Sequence, residues 1–206
     1  MNTKIILAST SPRRIELMSQ AGIDAEVLAP NIEETPKRGE KPRDLVKRLA
    51  REKAGSVAML APDSAEDLVI IAADTIVVAP GGKRILGKPS SGRDAERMLR
   101  VLSGKTHEVL TAYCILALDL SGNTTECVRV VSSKVSIRPL TPAMIRDYVA
   151  GGEPMDKAGS YAAQGFGMNW ISSIRGSYTN VVGLPMCELL SDLEEWFGVS
   201  GKPPRK

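Results

Sequence analysis

Apolar positions along the chain follow two rhythms that alternate, one near every second residue and one near every third or fourth. Lys4–Ala8 is a short apolar strand, and Ser9–Arg14 is a polar turn. A helix is predicted from about Pro12 to Gln20, with Ile15, Leu17 and Met18 apolar and Gly22 closing it. Residues 29–42 form a proline-bounded loop, acidic and then basic, and a second helix follows from about Arg43 to Leu60. The most apolar stretch, LVIIAADTIVVA over Leu68–Ala79, reads as a buried strand or strand pair. Gly81-Gly82 makes a turn, and Ile85–Pro89 carries a short ILGKP segment.

The third helix spans roughly Ser91 to Leu102, with Ala95, Met98, Leu99 and Leu102 on one face and Gly104 as its cap. His107–Leu118 and Thr124–Ile137 are β-rich and meet at Ser121-Gly122-Asn123, a hairpin signal. Thr141-Pro142 opens another helix, with threonine as cap and proline at the first helical position. Residues 151–183 are glycine-rich and read as irregular, and the last helix is amphipathic from Met186 to Phe197. The chain thus predicts one domain over residues 1–198 and a flexible tail over 199–206. Alternating strands and helices place it in the α/β class.

A chain of 206 residues, 43% hydrophobic and 25% charged, can bury a full α/β core or two small lobes that share one. No apolar run reaches the roughly 20 residues that span a bilayer, and Met1–Ala8 lacks a cleavage pattern after it. Cys114, Cys127 and Cys187 are odd in number and contain no CxxC pair, so they read as free thiols of a cytoplasmic protein. A net charge of +3 suits a small anionic ligand, and 4% aromatic content lacks the interleaved aromatics expected of a nucleic-acid binder.

Four places break local rules, and functional sites are expected where such rules fail. Ser11 and Pro12 start a helix whose first turn holds Arg13 and Arg14, beside the positive end of its own dipole. An anion such as phosphate reverses the sign of that repulsion, while a solvated basic turn is the plain alternative. Lys53 lies four residues after Leu49 and four before Val57, on the apolar face of its helix. It either snorkels outward or sends its ammonium past the core edge into an anionic cleft. Asp74 interrupts an apolar strand, where a carboxylate is costly unless it is paired or binds a metal. Lys88, between Gly87 and Pro89, is the weakest of the four signals.

Together, Arg13, Arg14, Lys53 and Lys88 can neutralise a triphosphate, while Asp74 and the Glu33-Glu34 pair offer oxygen ligands to Mg²⁺ or Mn²⁺. The cation polarises a phosphoryl oxygen and lowers the pKa of an attacking water, and a carboxylate takes or directs the water's proton. No Walker A sequence and no complete GxGxxG occurs, and no nucleophilic triad is visible. His107, the sole histidine, reads as structural.

Several segments then carry a resemblance. LASTSPRRIELMSQAGI, AADTIVV, ILGKPSSGRDAERMLRVLSGKTHEVLTAY and DKAGSYAAQGFGMNWISSIRGSYTNVVGLP closely resemble the signature blocks of the Maf family of nucleotide pyrophosphatases. The matching segments run from about Ile6 to Leu190. The resemblance implies a two-lobed α/β fold of the Maf/Ham1 type, a mixed twisted sheet flanked by helices with nucleotide in a cleft between lobes. It implies metal-dependent cleavage between the α- and β-phosphates, with Asp74 the proton acceptor and a metal ligand. Ser9, Arg13, Glu34, Lys53 and Lys88 line the phosphate and metal site by the same comparison, and Glu34 matches the acidic position better than Glu33.

Thr75 and the Gln164 of Tyr161-x-x-Gln164-Gly165 resemble the dTTP/UTP branch, whereas the 7-methyl-GTP branch usually has glutamine and glutamate at these places. A glutamine amide both donates and accepts, which matches a pyrimidine imide edge. Ala162-Ala163 replaces the commoner Gly-Ile. The alternatives are a 7-methyl-GTP pyrophosphatase and a nucleotide-binding regulator of cell division and septum formation. The apolar face of the final helix is either core or the interface of a homodimer.

Overall fold

The computed structural model describes residues 3–60 and 66–201. The first segment runs through strand β1 (Thr3–Ala8), helix α1 (Pro12–Gln20), strand β2 (Glu26–Leu28), helix α2 (Pro42–Ala58) and strand β3 (Asp67–Val78). Strand β4 (Ile85–Leu86), helix α3 (Gly92–Leu102), strands β5 (Thr106–Leu118) and β6 (Thr124–Ile137) and helix α4 (Pro142–Ala150) follow. Strand β7 (Ile171–Arg175), helix α5 (Tyr178–Val182) and helix α6 (Met186–Phe197) complete the chain. The sheet is mixed and seven-stranded, in the order β2-β1-β3-β5-β6-β7, with β4 paired to β3. β1 pairs in parallel with both β2 and β3, whereas β3–β4 and β6–β7 are antiparallel.

The chain divides into two compact units. The first comprises residues 1–74, 111–130 and 183–206 and the second residues 75–110 and 131–182, with β3, β5 and β6 each contributing to both. Helices cover both faces of the first unit's strands. Adjacent strand residues point to opposite faces. Tyr113 on β5, with Cys127 and Arg129 on β6, reaches Asp192 of α6, while Cys114 and Glu126 lie on the side where Glu126 meets Arg51 of α2. The apolar face of α6 is core, since Leu189 and Leu193 are fully buried. The second unit packs Met98, Leu99 and Leu102 of α3 and Ile145 and Tyr148 of α4 with Val77, Leu86, Val135 and Trp170.

Most predicted elements stand where the rhythm placed them, and α6 has the predicted bounds. Gly22 closes α1 with positive φ, its N–H on the Ser19 carbonyl and Ile23 N–H on that of Met18. Of the two readings of the apolar stretch, the single strand holds, as β3, while residues 151–183, expected to be irregular, hold three short 3₁₀ turns, β7 and α5. Gly104 likewise ends α3 with positive φ, one residue past the cap Ser103, and its N–H goes to Arg138 O. Of the expected tail, Val199 N–H bonds Leu193 O and Ser200 Oγ bonds Glu194, while residues 202–206 lie outside the described residues. Among the described residues no helix is long and apolar enough to cross a membrane.

Candidate active site

Asp74 owes its position to the mismatch in length between two parallel strands. β1 ends at Ala8, opposite Ala72, so Asp74 lies two residues past the last β1 pair. That is the carboxyl end of β1, where the chain leaves for Ser9 and α1 and where open α/β sheets place ligands. The Asp74 side chain is 9% exposed, and its partner is Lys53, 8% exposed on the apolar face of α2. Lys53 Nζ donates to Asp74 Oδ1 at 2.7 Å and also pairs with Glu34 Oε1 at 2.7 Å. The Glu34 side chain is half exposed, at 51%. One ammonium thus joins a buried carboxylate to a solvent-facing one, which offsets the cost of burying Asp74.

Glu34 stands in the loop before α2, and Arg48 ties that loop to the helix. Its Nε and Nη2 donate to Glu40 at 2.7 and 2.8 Å, Nη2 also to Thr35 O at 3.1 Å, and Nη1 to Glu52 at 2.9 Å. The Arg48 fork, joined by the Lys37 N–H, holds the Glu40 carboxyl down at about 2. Neither Arg48 nor Glu40 stood out in the sequence. A strongly charged loop next to a charged helix shows no periodicity that singles out one pair.

Ser9 is buried, and its Oγ accepts from Ser11 N–H at 3.2 Å. Arg14 Nη1 points at the same oxygen from 3.5 Å, and Arg14 Nε donates to Gly183 O at 2.8 Å. Burial pushes the Arg14 guanidinium below its ordinary value, as does the charge of Arg13, while Asp74 and Glu34 oppose them. Ser11 holds the cap position of α1, but its side chain makes no capping bond. Ser9, Arg14, Glu34, Lys53 and Asp74 are therefore gathered in the first unit, with Arg13 beside Arg14.

Thr75, Lys88 and Gln164 belong to the second unit. Thr75 is half-buried on β3, immediately after Asp74. Lys88 is exposed in the turn after β4, between buried Pro89 and Gly87, whose carbonyl accepts from Gly159 N–H at 3.1 Å. Gly159 has φ +71, and a Cβ there would lie 2.9 Å from Val77, so no larger residue fits. Gln164 is half-buried in the segment between two 3₁₀ turns. His107 is a core residue, as expected. It is 3% exposed, shares a 2.8 Å hydrogen bond with Tyr161 Oη, and burial lowers its pKa to about 4. The cysteines are free, and burial raises the Cys114 thiol to about 12, which disfavours the thiolate a nucleophile needs.

Among the described residues no group of three or more His, Cys, Asp or Glu forms a metal cage. Glu34 and Asp74 nevertheless converge on the one Lys53 ammonium. Two hard carboxylates are the type of donor that Mg²⁺ and similar cations take, together with phosphate oxygens, in phosphoryl-transfer sites. The residues fit such an ion in the presence of a phosphate ligand, and do not by themselves complete its shell.

The profile described as Maf-like protein matches residues 4–196. A dTTP/UTP pyrophosphatase of Geobacter metallireducens is 50% identical over 93% of this chain and 95% of its own length. A second so named, from Geobacter sulfurreducens, is 48% identical over 92% of this chain and 95% of its own. Among solved structures, the Staphylococcus aureus Ham1 protein covers 82% of this chain and 79% of that chain at 18% identity, with a TM-score of 0.43.

Proposed function

This chain belongs to the Maf-like protein family, and from that premise we propose that it hydrolyses dTTP and UTP to the monophosphate and pyrophosphate. The observation that carries the reading is the buried Lys53–Asp74 pair at the end of β1, extended by Lys53 to Glu34. A carboxylate held there by a single ammonium is oriented, and it lies where a ligand phosphate meets the first turn of α1.

In this reading Asp74 accepts the proton of the attacking water. The water oxygen bonds to the α-phosphorus, the anhydride bond between the α- and β-phosphates breaks, and its electron pair goes to the bridging oxygen, which leaves with pyrophosphate. Lys53 fixes the Asp74 carboxylate and shields the charge between it and Glu34. Ser9, Arg13 and Arg14 receive phosphate oxygens at the start of α1, and Lys88 adds a cation to the same ligand. Glu34 and Asp74 would hold a divalent cation, which would neutralise phosphate charge and make the phosphorus more electrophilic. Thr75 and Gln164 select the base, the amide of Gln164 matching the donor and acceptor of a pyrimidine imide. Free thiols and the absence of a long apolar helix among the described residues support a cytoplasmic enzyme on a soluble nucleotide pool.

A panel of nucleoside triphosphates with Mg²⁺ or Mn²⁺, scored for monophosphate and pyrophosphate, tests this directly. Turnover of dTTP and UTP with equimolar pyrophosphate is expected. Turnover of 7-methyl-GTP with dTTP and UTP inert sinks the assignment of base preference.

A further inference from the structure

The segment from Ala162 to Gly167 is pinned at both ends by two side chains outside the signature residues. Ala162 N–H donates to Tyr148 Oη at 3.2 Å. At the other end, Phe166 N–H donates to Glu153 Oε2 at 2.9 Å and Gly167 N–H to Glu153 Oε1 at 3.1 Å. Tyr148 closes the loop by donating its hydroxyl to the same Oε1 at 2.8 Å. One carboxylate, through one phenol, therefore holds both flanks of Gln164.

The fit leaves no slack. A Cβ on Gly167 would stand 2.7 Å from Ala162 O and 2.8 Å from Tyr148 Oη, and one on Gly165 2.9 Å from Glu153 Oε1. Immediately upstream, Ser160 has φ 61, the one positive φ of a non-glycine among the described residues, and Tyr161 is bonded to His107. Strain of that kind persists only where the surroundings over-determine the backbone. Ser160, Tyr161 and Ala162 are buried in the core, whereas Phe166 and Met168, on the far side of Gln164, are 59% and 56% exposed and depend on the Glu153 contacts.

We propose that Glu153 is a positioning residue that, with Tyr148 and the N–H groups of Phe166 and Gly167, fixes the backbone that carries Gln164 and so sets the reach of its amide to the pyrimidine imide edge. The proposal rests on the reading of Gln164 as a base-selecting group. The Gln164 amide meets the donor and the acceptor of an imide edge together only while its backbone stands at one distance from the ligand. Misplacement by about 1 Å can cost about a hundredfold.

UTP and CTP differ at the edge in question, so the ratio of their kcat/KM values is the readout. Glu153→Gln keeps the size of the side chain but turns an amide N–H₂ toward backbone donors. It is expected to narrow the UTP/CTP ratio by about ten- to a hundredfold, chiefly through KM for UTP. Tyr148→Phe removes the link between Ala162 and Glu153 and should move the ratio in the same direction by less, which keeps the test decisive if Glu153→Gln does not fold. Gln164→Ala serves as the reference, and Glu153→Gln added to it should leave the ratio where Gln164→Ala alone puts it. If Gln164→Ala leaves the ratio at the wild-type value, the base-selecting reading of Gln164 fails. If Gln164→Ala narrows it while Glu153→Gln and Tyr148→Phe lower both substrates equally, the clamp is overturned and that reading stands.

Discussion

Asp74 and Thr75 are neighbours on one strand, yet the residues grouped with each are held by different forces. In the first unit charge holds charge: Lys53 stands between Asp74 and Glu34, and Arg48 grips Glu40 to keep the Glu34 loop on α2. In the second unit neutral groups and backbone do the holding, through the His107–Tyr161 pair, the close approach of Gly159 to Val77, and a carboxylate on the N–H groups of a glycine-rich turn. Phosphate and metal chemistry needs strong fields, which charges supply over several ångströms. The proposed base selection needs one side chain at one distance from its ligand, which short, directional contacts to its backbone supply.

The comparison breaks most readily at Lys53. Lys53→Met preserves much of the apolar stem but leaves a buried carboxylate without its ammonium, so a loss of about 3–5 kcal/mol in unfolding free energy is expected. Urea titration at neutral pH measures it, and a loss below about 1 kcal/mol would mean that Asp74 is not held by this pair. The second unit should answer to acid instead. Buried neutral, His107 has its folded pKa lowered to about 4, so the unfolded chain takes up the proton first. Its contribution is therefore intact above the ordinary histidine value near 6.5 and is lost as pH falls from there toward 4, up to roughly 3 kcal/mol. Melting temperatures between pH 7 and pH 4 should fall less steeply in His107→Gln than in the wild type, and parallel curves refute the point. Smallest is Arg48→Gln, about 1–2 kcal/mol in stability, because the bidentate fork to Glu40 is partly buried and glutamine keeps one of its donors. Its effect should appear as a higher metal concentration for half-maximal rate, Glu34 being less firmly placed. An unchanged metal requirement would dissociate the Arg48 fork from Glu34.

The same contrast decides what the sequence could tell. Asp74 and Lys53 were legible because each puts a charge where periodicity demands an apolar residue, and that is visible without coordinates. Their mutual bond was not, since α2 and β3 meet only in the fold. Lys53 read as a cation for phosphate, and the structure sets it against two carboxylates. Thr75 and Gln164 break no rule of pattern, and only the family resemblance brought them forward. Glu153 and Tyr148 gave no signal at all, though the close pair Gly165 and Gly167 marks a backbone that must be approached tightly. Long helices and the β5–β6 hairpin were readable from local rhythm. β2 and β7 were not, being three and five residues long. β7 is fixed by distant pairing with β6 across a register shift at Ser136/Ile137.

Whether Asp74 takes the proton of the attacking water is decided by pyrophosphate release from dTTP, measured for the wild type and Asp74→Asn. The substitution keeps the shape and a hydrogen-bond acceptor for Lys53 while removing the base. A fall in kcat of about 10²–10⁴ is expected, with dTTP still bound and the fold intact by its melting curve. A folded Asp74→Asn enzyme that releases pyrophosphate within a few-fold of the wild-type rate would contradict it.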